Sequence, residues 1–277
     1  MDRELVLAIL TLAIGGLALE LCGWWPAVTG SEPSSGRRLE RLAWRRIWGP
    51  LLPTAMVLAG LAGWALVEPE VAEPVPLQLI LVALPFAILL VRVAARSLRA
   101  VLPVDGTPLA ATLGFIRPRV MISPRLASAL DEPALNAARA HEKAHARHRD
   151  PVRIWLAQVA TDLQWPWPAA ARRFRAWLLA MEIARDEEAR AAGVKGADLA
   201  AAILAAVRLE GAAPPLSFAG LTGDPAGLRE RVERLLAPLS SDEPRPPSPR
   251  WLLPVALACA VVMGALFGEA VVLHTVL

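Results

Sequence analysis

Long apolar runs alternate with shorter polar stretches along this chain of 277 residues. A helix that crosses a bilayer needs about 20 consecutive, mostly apolar residues. Four runs approach or reach that length, at residues 5–23, 47–67, 75–91 and 251–273. The pattern therefore predicts four transmembrane helices. Three lie in a membrane region at 1–91, and the fourth, within 251–277, follows a Pro-rich linker at 238–250.

Between the third and fourth runs, residues 92–237 have the shorter periodic segments of a small folded domain. Asp131, Glu132 and Pro133 have the cap and first-turn chemistry of a helix start. Asp150 with Pro151 is expected to end that helix and to cap the next one. Residues 113–123 combine β-branched residues with an early glycine and a proline, and are predicted as an edge strand. Further helices are predicted at about 151–164, 169–192, 197–210 and 225–237.

Composition agrees with membrane spans, because 55% of the residues are hydrophobic, only 20% are charged and the mean hydropathy is +0.44. An ordinary soluble domain of this length is less apolar. The two cysteines, Cys22 and Cys259, lie in apolar runs and predict neither a disulfide framework nor a Cys-type metal site. The predicted fold class is an α-helical multi-pass membrane protein with a mainly helical α+β domain between spans three and four.

Charge distribution gives an orientation. The formal net charge is only +3, and the arginines cluster beside the apolar runs, so they are interpreted as topology signals without direct nucleic-acid binding. The loop between runs one and two is arginine-rich, the next loop is acidic, and Arg92, Arg96 and Arg99 follow run three. The positive-inside rule then predicts both termini outside and the domain at 92–237 in the cytoplasm.

Candidate chemistry centres on the five residues His141-Glu142-Lys143-Ala144-His145. Two histidines four positions apart share one face of a helix, so both could bind one zinc ion. Glu142 lies beside the metal and is predicted to take the proton of the attacking water. Taken alone, the motif could also be a solvated, charged helix face.

A catalytic zinc takes three protein ligands and keeps one position open. Pro151 occupies the place where a metzincin has its third histidine, which excludes that arrangement. The best candidate is Glu182, and Asp186, one turn further on, is predicted to hold a ligand histidine in place. The alternative is that Glu182 and Asp186 form an exposed charged face.

Other candidate residues have weaker signals. About 10 Å of helix rise separates His148 from His141, so one zinc ion cannot easily bind both. His148 is instead a candidate donor to the transition state or else a solvated helix residue. Phe115, Pro118 and Val120 belong either to a strand that binds substrate backbone or to an ordinary core strand. Asp150 is interpreted as a helix cap only, and a structural pairing of Arg231 with a carboxylate is favoured.

Several motifs in order resemble the BlaR/MecR-type membrane metallopeptidases of antibiotic signalling. The motifs are Leu113-Gly114-Phe115-Ile116-Arg117-Pro118-Arg119-Val120, the histidine motif followed by Arg149-Asp150-Pro151, Trp165-Pro166-Trp167-Pro168, Glu182 with Asp186, and Arg229-Glu230-Arg231-Val232. Trp167 replaces the usual Asn, and Ala184-Arg185-Asp186 replaces a small-Cys-Asp ending. The receptors carry a penicillin-binding sensor after span four, whereas this chain ends at Leu277, so the resemblance supports the protease module and not β-lactam sensing.

The resemblance implies a gluzincin-like, one-zinc endopeptidase in a bacterial inner membrane that cleaves a cytoplasmic protein. A winged-helix transcriptional repressor and the peptidase itself are the implied substrates. An HtpX-like quality-control protease and a non-catalytic signalling scaffold are the alternatives. Expected partners are the protein substrate, the lipid bilayer and a second copy of the chain. The last would pack through small-residue helix faces formed by Ala55, Ala59 and Gly63, or by Ala260, Gly264 and Gly268.

Overall fold

The computed structural model describes residues 35–52, 55, 77–101, 109–210 and 225–238. Within these residues the chain is mostly helical, with one two-stranded sheet. The elements in chain order are α1 (Gly36–Trp48), α2 (Leu77–Val101), β1 (Ala110–Leu113), β2 (Arg119–Ile122), α3 (Pro124–Ala129), α4 (Glu132–His148), α5 (Asp150–Leu163), α6 (Pro168–Ala191), α7 (Gly196–Glu210) and α8 (Pro225–Leu236).

Helix α6 is the centre of the described part, with α1, α4, α5 and α8 packed around it. Its second half is buried on nearly all sides, as expected of a helix that has neighbours on several faces. Trp177 and Met181 of α6 pack against Ile47 of α1 and against Ala157 and Ala160 of α5. The small alanine side chains let α5 approach closely, so the large rings of α6 fill the space between the helices.

Helix α1 makes the most extensive helix–helix contact of the described residues, and it makes it with α6. At its start, a Cβ added to Gly36 would lie 2.9 Å from the backbone nitrogen of Ala184, so only glycine fits this approach. At its other end, the Trp44 ring lies 5.1 Å from the Trp177 ring, centroid to centroid. Close backbone contact at one end and aromatic packing at the other fix α1 along α6.

A second core joins α4, α6, α7 and α8 through Ala137, Ala189, Leu199 and Leu235. It brings α8, the last described helix, back onto α6. The helix starts follow local rules: Oδ1 of Asp131 accepts a hydrogen bond from the Ala134 amide at 3.0 Å, which caps α4 as its sequence indicates.

The predicted strand at 113–123 is wrong in its form, because the segment is a hairpin. Strands β1 and β2 pair antiparallel, with Ala110 opposite Ile122 and Leu113 opposite Arg119. Gly114 has a φ of +99° and begins the connection at 114–118. A glycine in this conformation with a proline nearby marks a reversal of the chain. The glycine and the proline that were interpreted as signs of an edge strand therefore form the turn of the hairpin. The hairpin packs on α4.

The predicted membrane fold is contradicted: among the described residues, no helix combines the length and the apolar character needed to cross a bilayer. Helix α2 starts within the third predicted span, but its uncharged part from Leu77 to Val91 rises only about 22 Å, against a hydrocarbon core of about 30 Å. The rest of α2 carries three arginines, and Arg96 donates to Asp162 of α5 at 2.9 Å. This half of the helix therefore packs on the domain.

The other predicted membrane segments have little or no described structure. Residues 5–23 and 251–273 lie outside the described residues, as does the linker after residue 238. The predicted second span, 47–67, begins inside α1, and most of it also lies outside.

Candidate metal centre

His141 and His145 lie one turn apart on the buried face of α4, and their Nε2 atoms are 2.9 Å apart. The Oε2 atom of Glu182, on α6, lies 3.3 Å from Nε2 of His141, and its Oε1 lies 3.6 Å from Nε2 of His145. Tetrahedral ligands with metal bonds of about 2.0 Å are roughly 3.3 Å from one another. The three donors therefore lie close enough together to hold one metal ion.

Each histidine has a carboxylate at its second ring nitrogen. Oδ2 of Asp150 lies 2.8 Å from Nδ1 of His145. Oδ1 of Asp186 lies 2.9 Å from Nδ1 of His141, close enough for an ion pair, although that nitrogen makes no well-aligned hydrogen bond. Carboxylates in this place favour a proton on Nδ1 and leave the Nε2 lone pair free for a metal. The donor set therefore fits a cation.

Asp150 corrects the sequence interpretation. It is not the cap of α5: Arg149, with a φ of +51°, occupies the corner between α4 and α5, and Asp150 is the first residue of α5. Its side chain is 1% exposed and faces the metal centre. The signal in the sequence is an acidic residue five positions after the second histidine, directly after a helix end. That signal does not separate a cap from a histidine partner.

Arg231 of α8 pairs with two carboxylates of α6. Its Nε and NH2 atoms donate to the two oxygens of Asp186 at 2.9 and 3.0 Å, and NH1 lies 3.0 Å from Oε2 of Glu182. The sequence interpretation favoured such a structural pairing. A bidentate guanidinium holds both carboxylates in one orientation. Arg231 therefore positions the candidate third ligand and the partner of His141.

The charges of the cluster shift its pKa values strongly. Burial alone lowers the pKa of His141, but the contacts with Asp186 and Glu182 outweigh it and raise that pKa to about 10. Burial raises the pKa of Glu182, and the charges of Arg231 and the two histidines outweigh it and hold that pKa well below its usual range. The centre therefore favours a positive charge among the donors, and a metal cation supplies one.

Glu142 lies between the two histidines in the chain and is not one of the three converging donors. The Oγ1 hydroxyl of Thr112, on β1, lies 2.9 Å from Oε2 of Glu142 and 2.9 Å from its backbone oxygen, and can donate to either. Sequence reasoning missed Thr112. The only signal was a hydroxyl residue beside apolar ones, just before the predicted strand.

Other predicted site residues are not brought to the donors. Nε2 of His148 lies 2.7 Å from Oε2 of Glu188, and the His148 side chain is 41% exposed. Phe115 and Pro118 lie in the connection between the strands, and Val120 is on β2. The Phe115 ring packs edge-on against Trp155 at 6.2 Å. Among the described residues, no hydrogen bond or ion pair joins any of these four residues to the three donors, and their predicted roles stay predictions.

Residues 105–235 match the family model described as the BlaR1 peptidase, M56. The match covers the hairpin and every residue named in the metal centre, and it confirms the resemblance to the BlaR/MecR-type peptidases. Helix α1 precedes the matched residues. No curated protein and no solved structure gives a significant match to this chain.

Proposed function

Because residues 105–235 match the family model described as the BlaR1 peptidase, M56, we propose that this protein is a zinc-dependent endopeptidase of the HExxH gluzincin type. The family supports peptidase activity. The observation that carries the finer proposal is the convergence of His141, His145 and Glu182, all buried, with a carboxylate behind each imidazole. Two imidazoles and one carboxylate are a typical ligand set of catalytic zinc, and they leave a coordination position open.

The proposed metal would be held by these three side chains. A zinc ion bound there supplies Lewis-acid chemistry, which polarises a carbonyl and makes a water molecule acidic near neutral pH. Asp150 and Asp186 fix the ring orientations, and Arg231 fixes Glu182 and Asp186. The ligand side chains are thus oriented before the metal binds, so little rearrangement is needed.

Glu142 is the proposed general base and general acid. Its carboxylate would take a proton from the attacking water and pass it to the amine that leaves when the peptide bond breaks. The Thr112 hydroxyl within 2.9 Å holds this carboxylate on the hairpin side of α4. Among the described residues the sheet has only two strands, so one edge of each strand has no strand partner. An extended peptide could add at such an edge, for example beside Val120 on β2.

The substrate class rests on the family resemblance. We propose a protein cut on the cytoplasmic side of a bacterial inner membrane, either a winged-helix repressor or the peptidase itself. The measurement is the distribution of the full-length chain between the cytosolic and membrane fractions of its bacterial host, together with the protease sensitivity of the 92–237 region in intact spheroplasts.

The experiment that tests the activity compares wild type with Glu142→Gln. Glutamine keeps the size of the side chain but accepts no proton in this way. Cleavage of a casein-like substrate should fall roughly 10²–10⁴-fold, while zinc content and the far-UV circular dichroism stay unchanged. If Glu142→Gln complements a deletion strain as well as wild type, proteolysis is not the cellular function and the scaffold alternative stands.

A further inference from the structure

A chain of buried charges leads from α1 to one ligand of the proposed metal centre. Glu40 of α1 is buried, and its Oε1 and Oε2 accept hydrogen bonds from NH2 and NH1 of Arg185 at 3.1 and 3.3 Å. Nε and NH2 of Arg185 also donate to Oδ2 and Oδ1 of Asp150 at 2.5 and 2.8 Å. Oδ2 of Asp150 then lies 2.8 Å from Nδ1 of His145. Helix α1 is thereby joined to a candidate ligand through two intervening side chains.

Together with Arg153, the charged side chains of this path carry as many positive as negative charges. Arg153 adds a second guanidinium, which donates to Oε1 of Glu40 at 2.5 Å and to Oδ1 of Asp150 at 3.0 Å. Two arginines thus face two carboxylates. Arg185 is only 1% exposed, and a buried charge that loses a partner is strongly destabilised. Without Glu40, Asp150 would be the one carboxylate that still accepts hydrogen bonds from both arginines among the described residues.

Asp150 connects these charged side chains to His145, a candidate metal ligand. Its Oδ2 atom is shared between Arg185 and His145. When Glu40 takes part of the guanidinium interaction, Asp150 keeps more negative charge for the imidazole, which makes His145 a better metal donor. When Glu40 is absent, Arg185 keeps its hydrogen bonds to Asp150 and draws more strongly on that carboxylate, so the support for His145 weakens.

We propose that Glu40 is a positioning residue of the metal centre, so that the docking of α1 on α6 tunes how tightly the metal is held. The inference rests on the proposed metal site. Its physical basis is the path from Glu40 through Arg185 and Asp150 to His145, within a helix pair held by the Gly36 amide, which donates to Oε2 of Glu187 at 2.8 Å. Helix α1 thus contributes to the centre although it lies before the residues that match the peptidase family.

The test uses full-length protein and Co²⁺ and Zn²⁺ as probes. Zinc affinity is measured by competition with a chelator, and the ligand field is read from the d–d absorption of bound Co²⁺. Glu40→Gln should lower zinc affinity roughly three- to tenfold, less than the about 10–100-fold expected when a direct partner of a ligand histidine is lost, and should shift the cobalt spectrum. Glu40→Asp should recover part of both.

Glu187→Gln is the matched control, because it makes the same substitution at the same helix interface but outside the charge path. Its amide oxygen can still accept from the Gly36 amide, so zinc affinity and the cobalt spectrum should equal those of wild type. A folded Glu40→Gln protein with wild-type affinity and spectrum would overturn the inference. So would an equal loss of affinity in Glu187→Gln.

A second variant decides the matter if Glu40→Gln does not fold. Gly36→Ala leaves every charged group in place but puts a methyl group 2.9 Å from the Ala184 backbone nitrogen, which displaces the start of α1. It should lower zinc affinity and shift the cobalt spectrum in the direction seen with Glu40→Asp, and unchanged values would contradict the proposal. If wild type itself binds no cobalt, the proposed metal function fails, which is a distinct result.

Discussion

Each histidine of the candidate centre contacts an aspartate, which in turn pairs with an arginine. Each such series is called an arm below, and the two arms differ in the further carboxylate that the arginine contacts. On the His141 arm, Asp186 contacts the imidazole and Arg231 holds Asp186 in two hydrogen bonds. On the His145 arm, Asp150 contacts the imidazole and Arg185 holds Asp150 in two hydrogen bonds. Each arm is thus histidine, aspartate, arginine.

The arms differ in the second carboxylate that each arginine meets. Arg231 also pairs with Glu182, itself a candidate ligand, so the last contact of the His141 arm lies within the candidate metal centre. Arg185 also pairs with Glu40 of α1, so the last contact of the His145 arm lies outside the residues that match the family model. The comparison teaches that one arm depends on the domain alone, while the other also depends on how α1 is docked.

The largest expected effect comes from removing one of the three donors. His141→Ala, His145→Ala and Glu182→Ala should each lose most of the bound zinc, because two protein ligands are too few for a tight site. The measurement is zinc per chain after dialysis. His148→Ala is the control and should keep its zinc, since His148 pairs with Glu188. Full zinc in Glu182→Ala together with loss in Glu187→Ala or Glu188→Ala would show that the third ligand is misassigned.

Removing Arg231 should destabilise the metal-free protein by about 3–5 kcal/mol, because two buried carboxylates are left uncompensated. Removing Arg185 should cost less, because Arg153 still pairs with Asp150 and Glu40. Arg231→Met exposes Glu182 and Asp186 to mutual repulsion, and a bound zinc ion would offset part of that charge. Arg185→Met leaves the negative charges of Asp150 and Glu40, and a bound zinc ion would offset less of them, because Glu40 lies on α1 and pairs with none of the three donors. Urea unfolding with and without zinc should therefore show a larger zinc rescue for Arg231→Met than for Arg185→Met. Equal rescue would mean that the two arms do not differ as described.

The aspartates should have similar, intermediate effects. Asp150→Asn and Asp186→Asn each keep the shape of the side chain and remove the charge behind one imidazole, so zinc affinity should fall about 10–100-fold in both. Chelator competition measures this directly. Asp162→Asn, which pairs with Arg96 and not with a histidine, is the control. A loss in only one aspartate variant would show that a single arm orients the ligands.

The smallest expected effect is on the catalytic rate and involves a residue, Thr112, that belongs to neither arm. Thr112→Val removes the hydroxyl that holds Glu142, and one hydrogen bond of about 1 kcal/mol corresponds to roughly a fivefold fall in kcat. Zinc content should not change, and Thr112→Ser should restore the rate because it keeps the hydroxyl. A change in KM with constant kcat would assign Thr112 to substrate binding instead.

Local rules in the sequence were sufficient for several elements of the site. The spacing of His141 and His145 places both on one face of a helix wherever that helix packs. The start of α4 follows from Asp131, whose side chain caps the nearest amide. The need of a catalytic zinc for a third protein ligand indicated Glu182 on a second helix, and Glu182 lies beside both histidines. These features depend on residues within a few turns of one another, or on the ligand number of zinc.

Other inferences from the sequence failed where a local pattern had two solutions. An apolar run next to arginines was interpreted as a membrane span, but α2 continues through those arginines and packs on α5. A glycine and a proline among β-branched residues suited an edge strand or a hairpin turn, and the structure has the turn. Hydropathy and composition give the preference of a segment but not its neighbours, so they do not decide between such solutions.

The sequence by itself determined the helix of the candidate metal ligands and the match of residues 105–235 to the BlaR1 peptidase family model. Only the tertiary structure decided that Asp150 faces His145 and that Glu40 reaches Arg185 across 145 positions of chain. Periodicity and capping act over a few residues, whereas a buried ion pair is selected by the packing of whole helices, which removes water and requires each charge to find a partner. That requirement is satisfied in space and has no signature along the chain.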